Sequence, residues 1–255
     1  MSWVPDMTAL TTIWAAGTST GLVRPLNEDS AYAGHWLHAV ADGMGGHVAG
    51  EIASATVIAA LRAYDAEPDP ARLVEILGNA VTTANTAIRR RTESDPALRT
   101  MGTTLTAMLW SGRTFALAHI GDSRAYLLRG GRLRQLTEDH ALRNLVAGTR
   151  TSAVLAPIMS RFLDGRPDRS PDLGLRGALP GDRYLLCSDG LSAVVPDETM
   201  RGVLESGDDL AQIIERLTGL ANSAGGPDNI TAIVIDAPGS SAHGNAAPPI
   251  TLGLR

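Results

Sequence analysis

Apolar residues follow two rhythms along this chain. Short strand-like runs occupy residues 14–18, 31–33 and 37–41, with glycines and polar turns between them. Over 48–63 the spacing becomes helical, with Ile52, Ala55, Val57, Ile58 and Leu61 recurring on one face. Pro68 and Pro70 break that pattern. Residues 71–91 predict a second helix, with Leu73, Ile76, Leu77, Val81, Ala84 and Ile88 along one stripe. Strands are predicted at 103–110, 114–120 and 125–128, turned by Ser111-Gly112 and Gly130-Gly131, with a short return strand at 133–136. Residues 137–180 read as an irregular surface segment. A buried strand follows at 184–187, then helices at 196–205 and 208–221, with Asp208 or Asp209 as N-cap. A β-branched strand at 230–235 closes the pattern. Two long helices set among strands indicate a layered α+β fold.

The expected organisation is an N-terminal arm at 1–12, one domain at 13–237 and a flexible tail of Gly, Ser, Ala and Pro at 238–255. There is no internal repeat. The chain has 255 residues, 44% of them hydrophobic, enough for a substantial core in one domain. A net charge of −5 and no basic stripe argue against nucleic acid as a partner. All 22 basic residues are arginine, which reads as codon bias. The single cysteine, Cys187, excludes an intramolecular disulfide and fits a reducing compartment. The first residues lack the pattern of a signal peptide, and no run approaches the ~20 apolar residues of a spanning helix. The expectation is a cytoplasmic protein with no membrane partner.

Four aspartates stand in four glycine-marked turns: Asp42 in VADGMGG, Asp122 in HIGDSR, Asp189 in LLCSDG and Asp228 in GGPDN. Three follow strand-like runs and Asp228 precedes one. Any one such pair is by itself an ordinary turn. Together they suggest one shared site, because clustered carboxylates repel unless a cation or a proton neutralises them. Hard Mg²⁺ and Mn²⁺ prefer oxygen ligands, and no Cys/His spacing suggests zinc. Arg24, in RPLNED, is open to two readings: a surface ion pair, or a bidentate clamp on phosphate oxygens.

RPLNED, VADGMGGHVAGE, MGTTLTAML, HIGDSRAYLLR, LTEDHA, LLCSDGL and GGPDNITAIVI resemble, in order, the motifs of the metal-dependent protein phosphatases of the 2C type, in a bacterial-like form. The resemblance covers about residues 14–236. It implies a central sandwich of two antiparallel β-sheets flanked by pairs of helices. It also implies hydrolysis of phosphoserine and phosphothreonine by a water activated between two Mn²⁺ or Mg²⁺ ions. By the same resemblance Asp42 bridges the ions and the Gly43 carbonyl helps hold one. Asp189 and Asp228 complete the first ion's carboxylates, and Glu28 reaches the second through water. Asp29 orients a water from behind, Asp122 serves a third, weaker ion, and Arg24 binds the substrate phosphate. Implied partners are phosphorylated proteins, the substrates of a serine/threonine kinase.

Met44 stands where many eukaryotic relatives carry a histidine thought to be the general acid, so the leaving-group proton must come from elsewhere. His47 and His140 are candidates by motif proximity, although each reads better as a solvated surface side chain; His119 reads as structural. Cys187 reads as core, because CSDGL offers no amide cradle for a catalytic thiolate. Residues 139–180 depart from the family: the His-Pro stretch of the bacterial flap is missing and the segment is shorter. Two other functions fit less well. They are a metal phosphatase for a small phosphorylated molecule, and a pseudophosphatase that kept the fold as a binding module.

Overall fold

A computed structural model describes residues 12–46, 48–141, 159–237 and 248–253. Among the described residues, the apolar runs form twelve strands: β1 Ile13–Ser19, β2 Asp29–Ala33, β3 Leu37–Met44, β4 Gly102–Thr103, β5 Leu105–Ser111, β6 Thr114–Ile120, β7 Arg124–Arg129, β8 Arg132–Gln135, β9 Asp172–Gly177, β10 Arg183–Cys187, β11 Ile230–Asp236 and β12 Ile250–Leu252. The helical stretches form α1 Val48–Arg62 and α2 Leu73–Ser94. Later come a one-turn α3 Asp189–Ser192, α4 Asp197–Leu204 and α5 Leu210–Ser223. The strands' pairings with one another are all antiparallel. One sheet runs β1-β11-β10-β7-β8, and the other β12-β2-β3-β5-β6-β9, with β4 pairing beside β3.

The layering follows from side chains that alternate across strands buried on both faces. On β3, Leu37, Ala39 and Ala41 face α1 and α2, while Val40 faces the opposite sheet. On β11, Ile233 and Ile235 enter the inter-sheet core, while Ile230, Ala232 and Val234 meet α4 and α5. Three apolar layers therefore separate four structural ones, helices–sheet–sheet–helices, as expected for the sandwich. Trp110, Phe115 and Tyr184 pack edge-on and tilted in the central layer, at centroid distances of 4.5–5.3 Å.

Several boundaries moved for local reasons. The 103–110 run is two strands, because Thr103 and Thr104 turn aside to bond Asp42. The second long helix begins at Leu73 after a 3₁₀ turn at Pro70–Arg72, whose N-cap Asp69 accepts from the Ala71 N–H. Asp209, rather than Asp208, caps α5 in a capping box with Gln212.

Two expectations fail. The 137–180 segment is not wholly irregular: β9 lies within it and pairs with β6 at the sheet edge. The tail is not wholly free of structure either: Ile250, Thr251 and Leu252 pair with Ala33, Tyr32 and Ala31. Gly253 then takes φ +85°, where a Cβ would lie 2.2 Å from the Asp29 carbonyl oxygen. Most of the N-terminal arm, His47, residues 142–158 and 238–247, and the last two residues lie outside the described residues. Among the described residues, no helix is long and apolar enough to cross a membrane.

Asp65 anchors the β2–β3 hairpin. Its carboxylate accepts from the Tyr32 hydroxyl at 2.7 Å and from the N–H groups of His35, Trp36 and Leu37 at 3.2, 2.9 and 3.0 Å. Partial burial opposes its ionisation, but these donors outweigh burial and hold its carboxyl below the usual range. Asp65→Asn should therefore lower stability by about 1.5–3 kcal/mol near neutral pH. The loss should shrink as acid protonates the parent carboxylate. Denaturant unfolding at two pH values measures both effects.

Candidate active site

The two sheets deliver their acidic residues to one end of the sandwich. There, an open cleft of about 630 Å³ is lined by Arg24, Glu28, Asp42, Gly43, Met44, Asp122, Asp189 and Asp228, with Leu26, Met159 and Phe162 on its apolar wall. Every predicted site residue but Asp29 lines this cleft. Asp29 lies behind it, 1% exposed, opposite Asp42 in the β2–β3 register.

Asp42 is fixed through its backbone. Its N–H donates to Thr104 Oγ1 at 2.9 Å, and its carbonyl accepts from Thr103 Oγ1 at 2.8 Å and from the Thr104 N–H at 2.9 Å. Gly43 follows where only glycine fits: a Cβ would lie 2.1 Å from the Gly50 carbonyl oxygen. Gly50, in the first turn of α1, leaves room for the Glu28 carboxylate, which a Cβ there would meet at 2.0 Å. Asn229 ties the remaining loops together. Its side chain accepts from the Glu28 N–H at 2.8 Å and donates to the carbonyls of Thr20 and Leu26, both at 2.9 Å. Asp189 opens α3 directly after β10, and Gly190 packs under the Asn229 carbonyl, where a Cβ would stand 2.0 Å away. Ser188 donates to Asp29 Oδ2 at 2.7 Å.

The electrostatics are those of crowded, buried acids. Burial, and then the charges of Asp29, Asp189, Asp122 and Asp228, push the Asp42 carboxyl well above its ordinary range. Burial raises Asp29 to about 7, with Ser188 and Thr231 opposing, and raises Asp122 to about 7, aided by the charges of Asp189 and Asp139. Asp189 is raised by burial and then by Asp228. One oxygen each of Asp29, Asp122 and Asp189 is buried without a hydrogen-bond partner. Such an atom is costly unless something positive meets it. Oxygen-only donors with unmet lone pairs fit a hard divalent cation. Among the described residues, no three His, Cys, Asp or Glu side chains already close on one metal-sized point.

Arg24 satisfies one of its two readings outright: its Nη2 donates to Asp228 Oδ2 at 2.7 Å, with the side chains 52% and 33% exposed. An exposed pair of this kind contributes little stability. Its partner is itself a candidate ligand, and Arg24 lines the cleft, so the ion pair does not remove it from a phosphate-binding role. His119 is buried as expected. His140 is not the solvated side chain anticipated: it is 8% exposed and bonded on both ring nitrogens. His47 lies outside the described residues.

The residues missed at the sequence level form a layer behind the acids: Thr103, Thr104, Ser123, Ser188 and Asn229. Each lies within or beside an aspartate-bearing motif or MGTTLT, but a small polar residue there gives no sign of which carboxylate it serves.

Comparison with known proteins matches residues 25–234 to the family model described as protein phosphatase 2C. The serine/threonine protein phosphatase PstP of Mycobacterium tuberculosis is 47% identical over 230 residues, covering 88% of this chain. The chain spans 44% of the length of that relative. The serine/threonine phosphatase stp of Listeria welshimeri is 35% identical over 237 residues, covering 86% of this chain and 93% of stp. In three dimensions, the catalytic domain of PstP in complex with two manganese ions superposes with a TM-score of 0.84. It is 47% identical and covers 90% of this chain and 99% of that one. Sequence, family model and three-dimensional likeness all cover the segment that carries the acidic cleft, and the chain belongs to the protein phosphatase 2C family.

Proposed function

We propose that this chain is a metal-dependent serine/threonine protein phosphatase, acting in the cytoplasm on proteins phosphorylated by a serine/threonine kinase. The observation that carries this reading is the convergence of Asp42, Asp122, Asp189, Asp228 and Glu28 with Arg24 on one cleft, where Asp122 and Asp189 each keep one buried carboxylate oxygen without a partner. Asp42, Asp189 and Asp228 would hold one ion, Asp42 and, through water, Glu28 a second, with the Gly43 carbonyl helping to hold one of the two, and Asp122 a weaker third. Manganese in the similar PstP structure supports Mn²⁺ or Mg²⁺ as the cofactor. When bound, such ions supply positive charge for phosphate oxygens and make water a nucleophile at neutral pH. The proposed catalytic unit spans 13–237 and takes in the strand at 250–252.

The chain's own residues do the rest. Arg24 binds the phosphate as a fork and holds it against the acidic wall. Thr103 and Thr104 fix the backbone of Asp42, so its carboxylate leaves the strand end from a set place before substrate arrives. Met44 lines the cleft and has no proton to donate, so the leaving group is protonated by another group. A covalent route through Cys187 is excluded: burial pushes its thiol up to about 12, and the residue is fully enclosed. A protein substrate is favoured over a small molecule by the two exposed apolar residues that precede Arg24 in the chain, Leu22 and Val23, at 69% and 68% exposure. Retention of every acidic residue favours an enzyme over a binding module.

Chelation should abolish release of phosphate from a phosphothreonine peptide, and Mn²⁺ should restore it. Asp42→Asn should reduce kcat at least about 100-fold. The same substitution should raise the melting temperature in chelator, because it replaces a buried carboxyl whose ionised form burial and the neighbouring acids oppose. Activity and thermal unfolding, read on one sample, separate loss of function from loss of fold. Full activity in excess chelator would refute the metal reading.

Arg24→Lys should raise KM for a phosphopeptide about tenfold, because a point charge cannot reproduce two parallel hydrogen bonds. Steady-state kinetics with unchanged KM and kcat would reduce Arg24 to its ion pair with Asp228.

The raised carboxyls also set a pH dependence. In chelator, the folded protein keeps protons on Asp29 and Asp122 up to about 7, whereas the unfolded chain releases them near pH 4. The unfolded state thus binds fewer protons over that window, and these groups lower stability as pH rises through it. Bound Mn²⁺ replaces the protons, so its increment in melting temperature should be larger at about pH 8 than at about pH 5. Equal increments in thermal scans at the two pH values would contradict this.

A further inference from the structure

His140 lies outside the cleft yet is built into its framework. Its ring Nδ1 accepts from the Gly121 N–H at 3.0 Å, and its own N–H donates to the Gly121 carbonyl at 2.8 Å. Both backbone groups of the residue before Asp122 are therefore held by one histidine. Because Nδ1 accepts, the neutral ring carries its proton on Nε2. That proton is donated to Asp172 Oδ2, 3.0 Å away. Arg161 joins through Asp172 Oδ1 at 2.9 Å and through the Ser170 carbonyl. Its Nη1, 2.9 Å from Nε2, finds no lone pair there. The His119 ring, 4.8 Å away, closes the other side. The imidazole is thus fixed by Asp172 on one nitrogen and spends the other on the turn.

The turn needs such a hold. Gly121 takes φ +115°, and a Cβ would lie 2.6 Å from Thr104 Cβ, so this position is restricted to the residue with the least backbone stiffness. On the far side of Asp122, the Ser123 carbonyl accepts from Thr106 Oγ1 at 2.7 Å, and the Ser123 hydroxyl meets Thr104 Oγ1 at 2.7 Å. Asp122 itself is repelled by Asp189 and Asp139 and keeps one buried oxygen without a partner. Left to itself, that carboxylate would relax toward water.

We propose that His140 is a positioning residue for the cation site at Asp122: its Nδ1 pins the Gly121–Asp122 turn and so keeps the carboxylate in the cleft. This rests on the reading of Asp122 as a cation ligand. The imidazole touches neither substrate nor ion; it acts through Gly121 alone.

The test is Mn²⁺ titration by calorimetry on the full chain, comparing the parent with His140→Ala, His140→Asn, Asp122→Asn and Asp65→Asn. Asp122→Asn identifies the binding event that depends on Asp122. His140→Ala should weaken that event at least about tenfold, the scale of residues that orient ligands from behind. His140→Asn should restore most of the affinity, because its amide oxygen lies near the Nδ1 position and can accept the Gly121 N–H. Asp65→Asn, destabilised at the other end of β3, should leave the affinity unchanged, which separates positioning from general loss of stability. If Asp122→Asn weakens Mn²⁺ but His140→Ala does not, or does so no more than Asp65→Asn, the positioning role is overturned. Failure of the asparagine rescue overturns it too. If Asp122→Asn itself binds Mn²⁺ like the parent, the cation reading of Asp122 falls first and takes this proposal with it.

Discussion

Repulsion among buried carboxylates is the constraint around which this molecule is organised. Asp29, Asp42, Asp122 and Asp189 are each driven toward protonation by burial and then by neighbouring acids, Asp228 among them. A flexible chain would let them swing apart into water. Here two sheets, packed face to face through an apolar layer, supply the strand ends that prevent it. The hydroxyls of Thr103, Thr104 and Ser188 and the amide of Asn229 lock the loops that the strands cannot reach. The rigid core and the strained acidic cleft are thus two parts of one arrangement. Burial in the sandwich holds together charges that would otherwise push the end of the fold open.

The acidic turns were legible in the sequence because they combine three signals in a few residues: an apolar strand, a carboxylate and a glycine. The glycines proved necessary for space as well as for turning. At Gly43, Gly50 and Gly190 a side chain would collide with backbone or with Glu28 itself. The long strands were equally plain, since residues buried on both faces make unbroken apolar runs.

What remained hidden was decided by partners distant in sequence. β9 reads DLGLRG, with two glycines and half-exposed leucines, and becomes a strand only because β6 offers it an edge. β12 is three residues after a proline pair, and its conformation is set by β2. His140 follows Glu138 and Asp139, so its neighbourhood in sequence looks like surface; only the fold brings Gly121 and Asp172 to its two nitrogens. Arg24 carried two readings in the sequence, and the structure shows the ion pair, with Asp228, inside the cleft.

The pairing of β1 with β11 has a consequence for the order of events during synthesis. Ile13 pairs with Asp236 and Ser19 with Ile230, so β11 stands between β1 and β10 in the five-stranded sheet. Asp42 leaves the ribosome well before Asp228, Asn229 and the strand that carries their loop. Until then one sheet lacks an interior strand, and the inter-sheet layer lacks Ile233 and Ile235. Contacts this distant in sequence form slowly. The nascent chain therefore carries its first acids without the frame that gathers them until β11 has been made.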